Sequence, residues 1–343
     1  MLPCIIFIIA LLLSVTASQQ NLMACWPALP RIIDAHVHLV STDNNISYTW
    51  AAPPLPNMSC PCVFPLGQPC LCPWTYAHYK NASRSSFSHP SMFKIVFVEV
   101  AARPEQWLIE ARWAQSLADE HAVPIGAIVA GAPKGFGAIG ADDRDVSASL
   151  DELAALPLAR GIRAAALNFS DPDAFLAIVK HTAMLAARQL SLDVITAVQT
   201  PGTANAIARL AAAVPDVTII VNHMGSPDVH NPSSFDSWAR AIAEIALHEN
   251  VFVKVGGLLQ QFKADGTLPS IEQQAPFVRV SLQNFGFGRS LFESNWFFIN
   301  WAGRMDIYEY WLSSLNSILN ASYEQLQQLF FSSSATAYRV HTT

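Results

Sequence analysis

Eight short stretches of strand character, at 31–39, 94–102, 124–132, 161–169, 191–199, 217–225, 251–257 and 290–296, alternate with segments of helical apolar spacing. The helical pattern is plainest at 105–120, 173–189, 204–213 and 235–248, and two further segments follow the last stretch. This alternation restricts the fold more than any other feature, because strand, helix and next strand make a parallel pair joined by a right-handed crossover. Eight such strands are enough to close the sheet on itself. The expectation is an α/β protein, a single (β/α)8 TIM-type barrel over residues 31–340, with a Pro- and Cys-rich insertion after its first strand at 50–90. Charged residues are 13% of the 343, against about 25% in an average domain, which leaves a large core and a bland surface. The net charge of −6, with no basic cluster, argues against nucleic acid as a partner.

A barrel of this type gathers its functional side chains at the C-terminal ends of the strands. The first strand ends in Asp34-Ala35-His36-Val37-His38, and because side chains alternate faces along a strand, His36 and His38 share one face. Two neutral imidazoles side by side make a site for a divalent metal or an anion, and imidazole suits zinc. Other strands also end in polar residues: Glu99, Asn168, Gln199, Asn222 with His223, Lys254, and Glu293 with Asn295. Any one of these reads equally well as a hydrogen-bonded rim residue. Together they converge on one mouth.

Leu2 to Val15 are almost wholly apolar, and Val15-Thr16-Ala17 closes the run with small residues. This pattern is expected of a cleaved secretory signal peptide, residues 1–17, rather than of a membrane span, which needs about 20 apolar residues. The expected location is secreted or within the secretory lumen, with no stable membrane anchor after cleavage. Sequons at Asn45, Asn57, Asn81, Asn168 and Asn320 agree with it. Cleavage removes Cys4 and leaves Cys25 beside Cys60, Cys62, Cys70 and Cys72, the last four within the Pro-rich stretch. In an oxidising compartment two disulfides are expected there in preference to a zinc cluster, with the pairing open.

Four motifs in order, Ile33-Asp34-Ala35-His36-Val37-His38, Asn222-His223-Met224-Gly225, Val253-Lys254-Val255-Gly256-Gly257 and Leu291-Phe292-Glu293-Ser294-Asn295-Trp296, resemble those of the amidohydrolase-related family. The branch they resemble most is that of sugar-lactone and dicarboxylate lactonases. Glu110-Ala111-Arg112-Trp113 and Gly161-Ile162-Arg163 resemble that branch too, and the similarity lapses in the insertion.

The resemblance implies a hydrolase that opens a lactone or similar cyclic ester with an activated water. It implies one divalent metal, zinc for preference, on His36, His38 and His223, although some lactonases of the branch work without one. Asn168 stands where relatives with two metals carry a carboxylated lysine. Asn295 replaces the Asp that in most relatives takes the proton from water, and a carboxamide has no proton-accepting state near neutral pH. Asn295 is therefore expected to orient, with Glu99 as the substitute base and His223 as a further catalytic residue. Arg163, Asn168, Gln199 and Lys254 are the substrate-binding candidates. Phe297-Phe298 replaces the Pro and polar residue usual after the last motif, which makes the mouth more apolar. The alternatives are a decarboxylase or hydratase on the same barrel, with Arg163 or Arg289 gripping a carboxylate, and a catalytically weak binding protein. The expected partner is a small-molecule substrate, with a homodimer left open.

Overall fold

The computed structural model describes residues 30–41, 44–50, 73–83, 92–165, 167–259, 268–299 and 307–342. Eight strands, β1 (Ile32–Val37), β2 (Met92–Val98), β3 (Ile125–Gly131), β4 (Ala159–Ala164), β5 (Ser191–Val194), β6 (Ile219–Val221), β7 (Val251–Val255) and β8 (Ser290–Phe292), lie in sequence order in one sheet. Every neighbouring pair is parallel. The sheet returns on itself through a parallel bridge from Val37 to Trp296, where the His38 N–H donates to the Trp296 carbonyl at 2.6 Å. The described helices are α1 (Tyr76–Ala82), α2 (Trp107–His121), α3 (Asp143–Ala154), α4 (Pro172–Ala186), α5 (Thr203–Ala213), α6 (Phe235–Ala246), α7 (Ile271–Phe285), α8 (Ile307–Ile318), α9 (Tyr323–Gln327) and α10 (Ser333–Ala337). Several start on side-chain caps. Asp142 and Asp171 accept backbone N–H groups at the starts of α3 and α4, and Ser270 forms a capping box with Gln273 on α7.

The apolar residues sort into two cores. Ile95, Phe97, Ile128, Ile162, Leu192, Val221 and Val253 face the helices, while Ile33, Ala35, Val96, Val98, Ala127, Val129, Ile220 and Leu291 fill the barrel interior. That two-residue alternation is what a sheet buried on both sides requires. Tyr338 and Val340, just past α10, pack into the same inner core, so the C-terminal segment plugs the N-terminal end of the barrel.

The strands at 161–169 and 191–199 stop short, at Ala164 and Val194. Their last residues lie in loops, with consequences for the site. A register shift interrupts the β1–β2 pairing between Asp34 and Val37. The shift lets Ala35 and then His36 both face the interior, whereas Asp34 turns away. Asp34 instead accepts the Ser294 N–H at 2.9 Å and the Tyr79 hydroxyl at 2.9 Å, tying β1 to the loop after β8 and to α1. Burial pushes its carboxyl up to about 6.

Residues 1–17, Cys25, Cys60, Cys62, Cys70, Cys72 and Asn57 lie outside the described residues. Asn45, Asn81, Asn168 and Asn320 are exposed. Among the described residues no helix is long and apolar enough to cross a membrane.

Candidate active site

His36 and His38 stand at the C-terminal end of β1 with ring centroids 4.7 Å apart and their Nε2 atoms 3.1 Å apart. His38 Nδ1 lies 2.9 Å from the Val98 carbonyl oxygen, which can only accept, so Nδ1 carries the proton and Nε2 the lone pair. Burial holds both imidazoles well below their usual range. Lys254 adds to this at His36, and Arg163 at His38. Both rings are thus neutral, the state in which imidazole ligates a metal or accepts a proton.

His223 reaches the same point from the other side of the mouth. Its backbone sits in the left-handed region with φ 54°, followed by Met224 at 50°, which swings the ring over the barrel until its centroid is 4.7 Å from that of His36. The double glycine after β7 makes room for it. Gly257 has φ +69° and a Cβ there would lie 2.5 Å from the His223 ring, while a Cβ on Gly256 would collide with Glu293. Glu293, wholly buried, places Oε1 2.7 Å from His223 Nδ1 and Oε2 2.9 Å from His36 Nδ1. His36, His223 and Glu293 bring their ligand atoms within 4.8 Å of one another. Among the described residues this group could hold a metal ion, and His38, expected from sequence as a ligand, lies against it with its Nε2 3.1 Å from that of His36.

Two ion pairs complete the interior. Arg163 donates from Nε to Glu99 Oε1 at 2.5 Å and from Nη2 to the Glu99 carbonyl at 2.8 Å, leaving Nη1 3.4 Å from His36 Nε2. Lys254 lies 2.7 Å from Asp193 Oδ2 and 3.3 Å from His36 Nδ1. Asp193 also accepts from the Tyr338 hydroxyl at 2.8 Å and from Asn222 Nδ2 at 2.9 Å. Glu99 is thus matched by Arg163, and Asp193 by Lys254. Glu293 is left, among the described residues, with only two imidazoles, and its Oε2 has no hydrogen bond of good geometry.

The geometry gives the other residues singled out from sequence their surroundings. Glu99 holds Arg163 on Oε1 and accepts the Ala101 N–H on Oε2 at 2.5 Å. Lys254 is fully buried within β7, where it pairs with Asp193. Asn168 is exposed beyond the end of β4, its Oδ1 closing its own turn onto Ser170. Gln199 donates to the Ser226 carbonyl at 3.1 Å, joining the loops after β5 and β6. Arg289 donates to the carbonyls of Ala246, His248 and Val251, away from the histidine cluster. Asn295 is buried in the loop after β8, with φ 55° and an Oδ1 that has no hydrogen-bond partner among the described residues. Asp193 was missed by sequence reading, although a lone carboxylate inside Ser191-Leu192-Asp193-Val194 was the available signal.

The fold and the site together define a (β/α)8 barrel with a buried histidine–carboxylate centre at its C-terminal mouth. A family model described as Amidohydrolase matches residues 33–330, and the chain belongs to this amidohydrolase 2 family. It is 30% identical over 171 residues to L-fucono-1,5-lactonase of Burkholderia ambifaria, a stretch covering 49% of this chain and 57% of that protein. An amidohydrolase from Burkholderia multivorans, solved with bound zinc, superposes with a TM-score of 0.66 at 18% identity, covering 91% of this chain and 100% of that one. Amidohydrolase 2 from Bifidobacterium longum subsp. infantis gives a TM-score of 0.61 at 18% identity with the same coverage.

Proposed function

We propose that this amidohydrolase-family protein hydrolyses a lactone or a similar cyclic ester. The observation that carries the reading is the placement of Arg163 Nη1 3.4 Å from His36 Nε2, beside two neutral imidazoles. A buried guanidinium anchored by Glu99 is a fixed donor for the oxygen on which negative charge grows when water adds to an ester carbonyl. His38 Nε2 is the proton acceptor: its lone pair faces the centre, and its Nδ1 proton is committed to Val98. As water attacks the carbonyl carbon, its proton passes to His38. As the ring C–O bond breaks, that proton returns to the leaving alkoxide, giving the hydroxy acid. Asn295 orients water or substrate through its carboxamide.

The residues also fit a divalent metal. Two imidazoles and a carboxylate are a zinc donor set, and among the described residues the buried Glu293 carboxyl meets only the imidazoles of His36 and His223. His36, His223 and Glu293 would hold the ion. When bound, it would polarise the carbonyl and bring the pKa of water down towards about 7. The lactonase activity of the Burkholderia ambifaria relative and the zinc of the Burkholderia multivorans structure support this reading.

The test is elemental analysis of the purified protein followed by a lactone panel read by acid release. Ring opening should release one proton per turnover. His38→Ala should lose about 10²- to 10⁴-fold in kcat, the usual contribution of a positioned base. No turnover on any lactone, with zinc or manganese supplied, would overturn the proposal.

A further inference from the structure

At the mouth the loops after β1 and β8 set an aromatic face against His38: the Phe298 ring lies 5.1 Å from the His38 ring at 88°, stacked at 4.7 Å on Phe297, and Trp50 lies 6.1 Å from Phe298. Phe297 is buried and stacks on Trp74 at 5.2 Å, and Tyr48 backs Trp50 at 5.7 Å. Trp50 is oriented by its own hydrogen bond, Nε1 donating to the Val100 carbonyl at 2.6 Å, so its polar edge is spent, and its ring also meets Phe297 at 5.9 Å. Trp50 and Phe298 both keep part of their surface exposed.

From this geometry we infer that the substrate presents an aromatic or other flat apolar ring to Trp50 and Phe298, rather than a polyhydroxylated sugar ring. The inference rests on the hydrolase reading above and narrows its substrate class. A sugar lactone brings several hydroxyls, and each one buried without a partner is costly. Of the polar residues that sequence places at the mouth to meet them, Glu99 is committed to Arg163, Lys254 to Asp193 and Asn168 to its own turn, and Gln199 spends its amide N–H on Ser226. Trp50 and Phe298 offer instead an edge-to-face or offset-stacked surface, on which apolar rings gain most. The ester of such a ring, laid on Phe298, comes next to His38.

The experiment compares kcat/KM for a benzo-fused δ-lactone, dihydrocoumarin, with that for L-fucono-1,5-lactone, in the wild type and in Trp50→Ala, Phe298→Ala and Phe298→Leu. The wild type should prefer the aryl lactone by about tenfold or more. Each alanine variant should lower that preference ratio by about 3- to 10-fold, the worth of one aromatic contact, with the change in KM, and Phe298→Leu should fall in between. Preference for the sugar lactone, or a ratio unmoved by either alanine variant, would overturn the inference while leaving the hydrolase reading intact. If no lactone of the panel is opened with zinc or manganese supplied, the hydrolase reading fails, and the aromatic subsite is judged by binding of chroman, the unreactive ring ether, read by tryptophan fluorescence. Saturable quenching in the wild type, weakened in Phe298→Ala, upholds the subsite. No saturable quenching overturns it.

Discussion

The Lys254–Asp193 pair lies in the middle of the barrel, and its removal one member at a time should be unequal. Both side chains are fully buried, 2.7 Å apart, so neither charge is screened by water. Breaking such a pair typically costs about 3–5 kcal/mol, because the survivor is a buried charge without its counterion. Lys254→Met leaves Asp193 with two donors, the Tyr338 hydroxyl at 2.8 Å and Asn222 Nδ2 at 2.9 Å, which places its cost near the lower bound, about 3 kcal/mol. Asp193→Asn leaves the ammonium with His36 Nδ1 at 3.3 Å and the Tyr338 ring at 5.4 Å, far weaker compensation, and its cost should approach about 5 kcal/mol. The double variant has no orphaned charge and should be more stable than the sum of the two losses by at least about 2 kcal/mol. Equilibrium urea unfolding followed by far-UV circular dichroism, with the slope m compared across all four proteins, measures the cycle. Losses that add to within about 0.5 kcal/mol, or a Lys254→Met loss larger than that of Asp193→Asn, would refute the assignment of Lys254 as the counterion of Asp193.

The Glu99–Arg163 pair predicts a graded kinetic effect: Arg163→Met should lower kcat by about 10²- to 10³-fold, and Glu99→Gln, which only loosens the guanidinium, by about 10- to 100-fold. A larger loss for Glu99→Gln on steady-state assay would restore Glu99 as the base. Gly257→Ala should be destabilised by about 1–2 kcal/mol through its left-handed backbone and should also lose activity, because the new Cβ strikes the His223 ring. Gly286→Ala, at φ +66° with no atom within 4 Å of the new Cβ, is the control and should lose stability alone. The secretory reading predicts that protein exported from a eukaryotic host starts at Ser18 and that Cys60, Cys62, Cys70 and Cys72 are inert to a thiol reagent until reduced. N-terminal sequencing and thiol titration before and after denaturation check both.

The eight strands, the helices between them and the convergence of His36, His38, His223, Glu293 and Asn295 on one mouth were all legible in the chain. They follow from local periodicity, since a two-residue repeat names the face of a strand and the parallel order of βα units names the end where loops gather. Depth and partnership were not legible. Lys254 has the inward parity its position implies, but it sits within β7 rather than past its end, and the fold delivers Asp193 to it from 61 residues away. β4 and β5 stop at Ala164 and Val194, which leaves Asn168 closing its own turn and Gln199 bonded to Ser226 in the loop after β6, because strand length is set by what the neighbouring strands can pair with. Glu99 could be read as a base only while Arg163, on the next strand but one, was not yet seen to occupy it. A side chain's face is fixed by its own strand. Its charge state, its partner and its access to substrate are fixed by residues that only the closed barrel brings within hydrogen-bonding distance.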